Sequence, residues 1–403
     1  MPPSRRQREP VALVLAGGGA RGAYEMGALS ALLPELEEDE RPRIVVGTSV
    51  GAINVAYLAA NAEKAAVKVV EGGLALWRGI GYEQVLRPLL SLGEAARLGG
   101  YVGEVLGIRG SRATSVLDPA PLSSTLNRLI AFEQIHENVK RGMLDAAAVV
   151  ATSGVTSVSV VFHEGGPNPA ADARRGIEYV RTELTEEHVR ASAAIPLLFP
   201  AVAIGTNGGR HWYFDGGTRL NAPIKPALEL GARRLIVIAL NSLMPRRPLA
   251  RERRPDALDG ATQLIQAVLV DPLVNDVHTL ATINEVLADN SAAKMAAHER
   301  RTGRRRVPYM LIAPEDPQEV GRVAAEVYRT HYRSALAVAR SPNIAGLGRL
   351  LDAGSSANHG ELLSYVFFAR EFTERLIELG RRDAHRWLKD SHDHDCWQLG
   401  PLA

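Results

Sequence analysis

Gly47-Thr48-Ser49-Val50-Gly51 is a G-x-S-x-G pattern, set between a short β-branched run at residues 43–46 (RIVV) and an alanine-rich stretch beginning at residue 52. A serine on a sharp strand-to-helix turn presents its oxygen to a substrate, and small neighbours allow both the strained backbone and close approach. Gly17-Gly18-Gly19-Ala20-Arg21-Gly22 follows another apolar run, residues 11–16 (VALVLA). Consecutive backbone N–H groups in such a loop bind negative charge. One candidate ligand is the phosphate of a nucleotide, because the loop also matches G-x-G-x-x-G. That fingerprint expects an acidic residue after a second strand, about 20 residues on. Here the second strand ends at Ser49 instead, and no Walker lysine is present. An oxyanion hole for a tetrahedral intermediate is the better reading.

A serine nucleophile needs a base. The α/β-hydrolase order is Ser, Asp or Glu, then His, with several strands ahead of the elbow; here about two precede it. His211, His278, His298, His331 and His359 are available, but none occupies a recognisable strand-end turn and each reads as a surface or satisfied core histidine. Asp215 is better placed. Tyr213-Phe214-Asp215-Gly216-Gly217 puts a carboxylate at a strand terminus with two glycines behind it.

The elements needed to position these groups are legible. Residues 11–16 suit a strand buried on both faces of a parallel sheet. A helix is expected over residues 27–36, a strand over 43–46, and one long helix from about 52 to 70, closed by Gly72-Gly73. Residues 146–152, 155–162, 212–214, 235–240 and 308–313 read as further strands, residues 182–194 as turn and helix, and 257–301 and 319–388 as mainly helical. Strand, glycine turn and helix in alternation is the grammar of an α/β fold.

Composition sets the outer limits. The 403 residues, 46% hydrophobic and 23% charged, suit a globular chain able to bury a large core without disulfides or metals. Cys396 is the single cysteine, which fits an intracellular or redox-indifferent protein, and a cytoplasmic location is expected. The first ten residues are basic and lack the apolar stretch of a secretory signal. No apolar run reaches the ~18–20 residues of a membrane span. A net charge of +2 gives no support for a nucleic-acid partner.

Taken in order, residues 17–22, 47–51 and 215–217 resemble the three signature elements of patatin-like phospholipases. Residues 191–200 (ASAAIPLLFP), Asn221-Ala222-Pro223 and residues 227–232 (ALELGA) add to the resemblance, and residues 376–384 are similar to the C-terminal end of many bacterial members. It covers residues 11–240 strongly and the rest loosely. The third motif is Asp-Gly-Gly, where many members carry Asp-Gly-Ala. The resemblance implies a three-layer α/β/α fold with a mainly parallel central sheet and a helical C-terminal extension. The catalytic domain would span residues 11–240, residues 241–315 would complete the core with a helical segment and a returning strand, and residues 316–403 would form the extension. It also implies a Ser–Asp dyad without histidine or cofactor, acting on lipid esters, with peripheral contact at a membrane surface. Ser49 would attack the ester carbonyl and Asp215 would take its proton. Backbone N–H groups of Gly17, Gly18 and Gly19, with Arg21, would hold the oxyanion; Gly22, Gly47, Gly51, Gly216 and Gly217 are motif positions. An ordinary aspartate, with a pKa near 3.9, is a poor base for an alcohol. The dyad therefore requires Asp215 to be desolvated and ~2.6–3.2 Å from the serine oxygen. A catalytically silent lipid-binding module is the alternative from another class.

Four features are not absorbed by these motifs. Arginines cluster at residues 246–254 and 300–306, either as solvated loops or as a surface for anionic headgroups. The apolar, glycine-rich stretch 79–110 fits a buried helical pair or a mobile cap. His392-Asp393-His394-Asp395-Cys396 carries metal-capable side chains crowded near the end of the chain. Trp77, Tyr82 and Phe132 are expected in the core.

Overall fold

The computed structural model describes residues 9–88, 115, 117–206, 209–244, 256–269, 271–288, 294, 305–353, 355–390 and 396–400. His298, the arginine stretches at 246–254 and 300–304, residues 89–110 of the apolar stretch and residues 392–395 lie outside them.

The first strand, β1 (Val11–Leu15), is buried along its whole length. Side chains alternate across a strand, so Val11, Leu13 and Leu15 enter the core on one face while Ala12 and Val14 enter that on the other. Helix α1 (Gly22–Leu32) follows, beginning at the glycine loop rather than at residue 27. The second strand, β2 (Ile44–Thr48), runs into helix α2 (Val50–Ala60). The single helix expected over residues 52–70 is two. Asn61 Nδ2 donates to the Tyr57 carbonyl at 2.7 Å, taking an acceptor that the continuing helix would use. Helix α3 (Ala66–Gly79) starts afresh. Gly72 and Gly73 do not close it but lie inside it, because a Cβ at Gly73 would strike the Met26 sulfur.

The chain continues through helix α4 (Ala120–Leu129), β3 (Ala146–Ser153), β4 (Ser159–Gly165), β5 (Ile177–Arg181), helix α5 (Glu186–Ser192), β6 (Val202–Thr206), β7 (Gly209–Asp215), β8 (Arg234–Ile238) and β9 (Tyr309–Ile312). Strands β5 and β6 were not expected from the sequence; β5 is a partly exposed edge strand whose residues carry no apolar run. The sheet order is β5-β4-β3-β2-β1-β8-β9, parallel from β3 to β9 and antiparallel where β4 and β7 meet β3. Helices cover both faces, giving the three layers and mainly parallel sheet that the motifs implied. Because β2 lies on one side of β1 and β8 on the other, the strand order reverses at β1. Ligand crevices in open α/β sheets form at the carboxyl ends of strands at such a reversal.

Beyond β9 the described chain is mainly helical. Helix α6 (Ala357–Ser364) stands beside the glycine loop, and the long helix α7 (Arg370–Asp390) packs along α1, where Tyr24 donates from its hydroxyl to Asp383 at 2.7 Å. Trp77 and Tyr82 are core residues and Phe132 is packed against the core, as expected.

Candidate active site

Leu15 pairs with Gly47, so β1 and β2 end together and deliver the glycine loop and Ser49 to the same edge of the sheet. Asp215 pairs with Ala151 on β3, one residue beyond the partner of Thr48. The three motifs, more than 160 residues apart at their extremes, therefore converge through strand register.

Ser49 has φ 56° and ψ −123°, outside both the helical and extended regions. Such a conformation costs ~1–3 kcal/mol and persists only when the surroundings enforce it. Ser192 is part of that enforcement. Its Oγ accepts the Ser49 backbone N–H at 2.8 Å and donates to the Val150 carbonyl at 2.5 Å. Gly47 and Gly51 face each other so closely that a Cβ on Gly47 would overlap the Gly51 backbone. The Ser49 hydroxyl donates to Asp215 Oδ2 at 2.5 Å.

Asp215 is buried, and its second oxygen accepts the Gly217 N–H at 2.7 Å. No cation faces it among the described residues. Burial raises its pKa to about 7, against the opposing pull of the Ser49 hydroxyl and the Gly217 amide. Desolvation thus supplies the basicity that an ordinary aspartate lacks. No histidine lines either cavity at this site. His211, His278 and His331 are exposed, and His359 is buried with its ring against Ser355 Oγ at 2.8 Å.

The loop donors are divided between two jobs. The Gly17 N–H is taken by Asn221, whose side-chain and main-chain oxygens accept it at 2.9 and 3.2 Å. Ala20 donates to the Tyr365 carbonyl at 2.8 Å. The backbone N–H groups of Gly18 and Gly19 have no partner among the described residues, and both glycines line the cleft that holds Ser49 and Asp215. Gly19 has φ +60° and a Cβ there would run into the Tyr365 carbonyl, so only glycine suits the position.

Arg21, expected beside the oxyanion, does not line the cleft. Its guanidinium is buried and fully engaged: Nε donates to Ser364 Oγ at 2.9 Å, Nη1 to Asn241 Oδ1 at 2.7 Å and Nη2 to Glu361 Oε1 at 2.8 Å. The Tyr365 ring lies 3.9 Å from it. Of the four donors expected, two, the Gly18 and Gly19 amides, have no partner among the described residues. The roles of Ser192, Asn221 and Tyr365 had no separate signal in the sequence. Ser192 and Asn221 do fall within stretches that carried the family resemblance.

Two cavities meet at Ser49. One is the cleft lined by Gly18, Gly19, Ser49, Pro196, Asp215 and Tyr365 among others. The second is apolar, with Ile53, Trp77, Leu122, Leu126, Ile130 and Phe199 among its walls. Among the described residues no helix is long and apolar enough to cross a membrane.

A family model for patatin-like phospholipases matches residues 13–228, and the chain belongs to that family. Among solved structures it is similar to human GIVD cytosolic phospholipase A2, at 13% identity over 95% of this chain and 59% of that one, with a TM-score of 0.44. The same human protein with methyl γ-linolenyl fluorophosphonate matches at 14% identity, over 95% and 58% of the two chains, with a TM-score of 0.39. VipD from Legionella pneumophila matches at 14% identity over 77% of this chain and 62% of that one, with a TM-score of 0.33. The chain thus spans about three fifths of the length of these structures. No curated protein matches it.

Proposed function

We propose that the protein hydrolyses carboxylic esters of lipids, as a phospholipase A or lysophospholipase, with Ser49 as nucleophile and Asp215 as its base. One observation carries the reading: a serine hydroxyl at 2.5 Å from a buried carboxylate that no cation faces among the described residues, on the wall of an apolar cavity. Ser49 Oγ attacks the ester carbonyl while its proton passes to Asp215 Oδ2. The Gly18 and Gly19 N–H groups stabilise the negative oxygen of the tetrahedral intermediate. As the intermediate collapses, the leaving alkoxide takes the proton from Asp215 and departs as an alcohol, leaving an acyl-serine. Asp215 then deprotonates a water that attacks the acyl carbon. The fatty acid leaves and Ser49 regains its proton. The apolar cavity suits the acyl chain, since each buried methylene contributes ~0.8 kcal/mol.

Chromogenic acyl esters and a fluorophosphonate probe test this on the wild type and on Ser49→Ala. Hydrolysis and covalent labelling are both expected to vanish in the variant. Full activity in folded Ser49→Ala protein would reject the mechanism.

A further inference from the structure

The family match ends at residue 228, yet the glycine loop is held from far beyond it. Arg21 closes the loop and is 1% exposed, and Glu361 on α6 is 3% exposed. Their ion pair at 2.8 Å is extended by Ser364 from the same helix, and Nη2 also donates to the Glu361 carbonyl at 3.1 Å. One residue past α6, the Tyr365 carbonyl accepts the Ala20 N–H at 2.8 Å, and its ring lies against the guanidinium while lining both cavities. The contacts from α6 and Tyr365 hold the loop at Ala20 and Arg21, directly after Gly18 and Gly19, while Asn221 holds it at Gly17, directly before them.

We infer that Arg21 and Glu361 are positioning residues for catalysis: their buried pair fixes the loop so that the Gly18 and Gly19 amides point at the developing oxyanion, which makes α6 part of the catalytic unit. This rests on the ester-hydrolase reading of the site. An arginine fork suits the task because its donors lie in one plane and bind a carboxylate, an amide and a hydroxyl at once, which an ammonium cannot reproduce with the same geometry. Amide donors act through preorganisation, so a displacement of the loop weakens the transition state more than substrate binding. Losing one such donor outright lowers kcat by ~10²–10³; loosening two is expected to lower it at least ~10-fold.

A merely structural role is separated by a double substitution. Replacing a buried ion pair with apolar residues of similar size is often neutral or stabilising, whereas removing one partner is strongly destabilising. Glu361→Gln and Arg21→Lys should each lower kcat at least ~10-fold with KM within about threefold. They should also speed amide hydrogen exchange in peptides covering residues 17–21. Arg21→Met combined with Glu361→Leu should recover thermal stability toward the wild type while kcat remains at least ~10-fold low and loop exchange remains fast. Recovery of wild-type kcat together with stability would overturn the proposal, as would unchanged exchange at residues 17–21 in all three variants. A wild-type enzyme inert to esters and to the fluorophosphonate would instead sink the ester-hydrolase reading, and the exchange data would still decide whether the pair holds the loop.

Discussion

Asp215 and Glu361 are both buried carboxylates whose neighbours reach the glycine loop or the serine beside it, and their surroundings differ in one respect. Asp215 meets a hydroxyl and a backbone amide but no cation among the described residues. Glu361 meets the Arg21 guanidinium. Glu361 is committed to that ion pair and holds the loop in shape. Asp215, buried with no cation facing it among the described residues, has its pKa raised by desolvation, at a cost to stability. The site thus places its only cation-free buried carboxylate among these two against the nucleophile, and spends its arginine on the loop that carries the amides.

The largest effect expected from this contrast is at Asp215. Asp215→Asn should lower kcat by about 10³-fold or more, as loss of a general base and of its orienting hydrogen bond does. The same change should stabilise the fold. With a pKa raised from 3.8 to about 7, the folded protein keeps a proton that the unfolded chain releases. The associated stability is fully present below pH ~4 and is lost as pH rises through ~7. Asparagine avoids that loss, so denaturant titrations should find the variant more stable by about 1–4 kcal/mol at pH 8, and by less at pH 5. In the wild type, kcat/KM should rise with pH and level off above about 7 as Asp215 ionises. A flat profile from pH 5 to 8, or a destabilised Asp215→Asn, would erase the distinction drawn between the two carboxylates. Glu361→Gln, which strands Arg21, should move stability in the opposite direction.

A smaller effect is expected one step back from the dyad. Ser192→Ala removes the acceptor of the strained Ser49 N–H and the donor to Val150. It should cost about 1–3 kcal/mol of stability and lower kcat about 10-fold, readable by thermal melting and steady-state kinetics. Unchanged kcat would mean the elbow holds its shape without that hydroxyl. The smallest change is one of preference. Leu126→Trp, on the wall of the apolar cavity, should lower kcat/KM for long-chain esters several-fold relative to butyrate esters, because each excluded methylene forfeits ~0.8 kcal/mol. An unaltered chain-length ratio would place the acyl chain elsewhere.

How much of this was legible varied with how local the determining physics is. The strand of residues 11–15, the serine turn and the Asp-Gly-Gly turn all follow from short-range rules: β-branched or apolar runs, and glycines where the backbone must bend or approach closely. The break at residues 61–65 turns on which carbonyl one asparagine side chain captures, and the edge strand β5 has no apolar signal, so neither was readable. Arg21 is the instructive case. Its place in the glycine motif suggested a donor to the oxyanion, whereas its partners at residues 241, 361 and 364 turn it away from the cleft.

By itself the sequence settled the order of motifs, the fold class and the residue types able to attack, accept a proton and donate amides, since these depend on neighbours within a few positions. Only the tertiary structure decided that Ser49 and Asp215 touch, that burial lifts one carboxylate to about 7, and which loop amides lack a partner among the described residues. Those outcomes are set by strand register and desolvation, which join groups more than a hundred residues apart and leave no trace in local spacing.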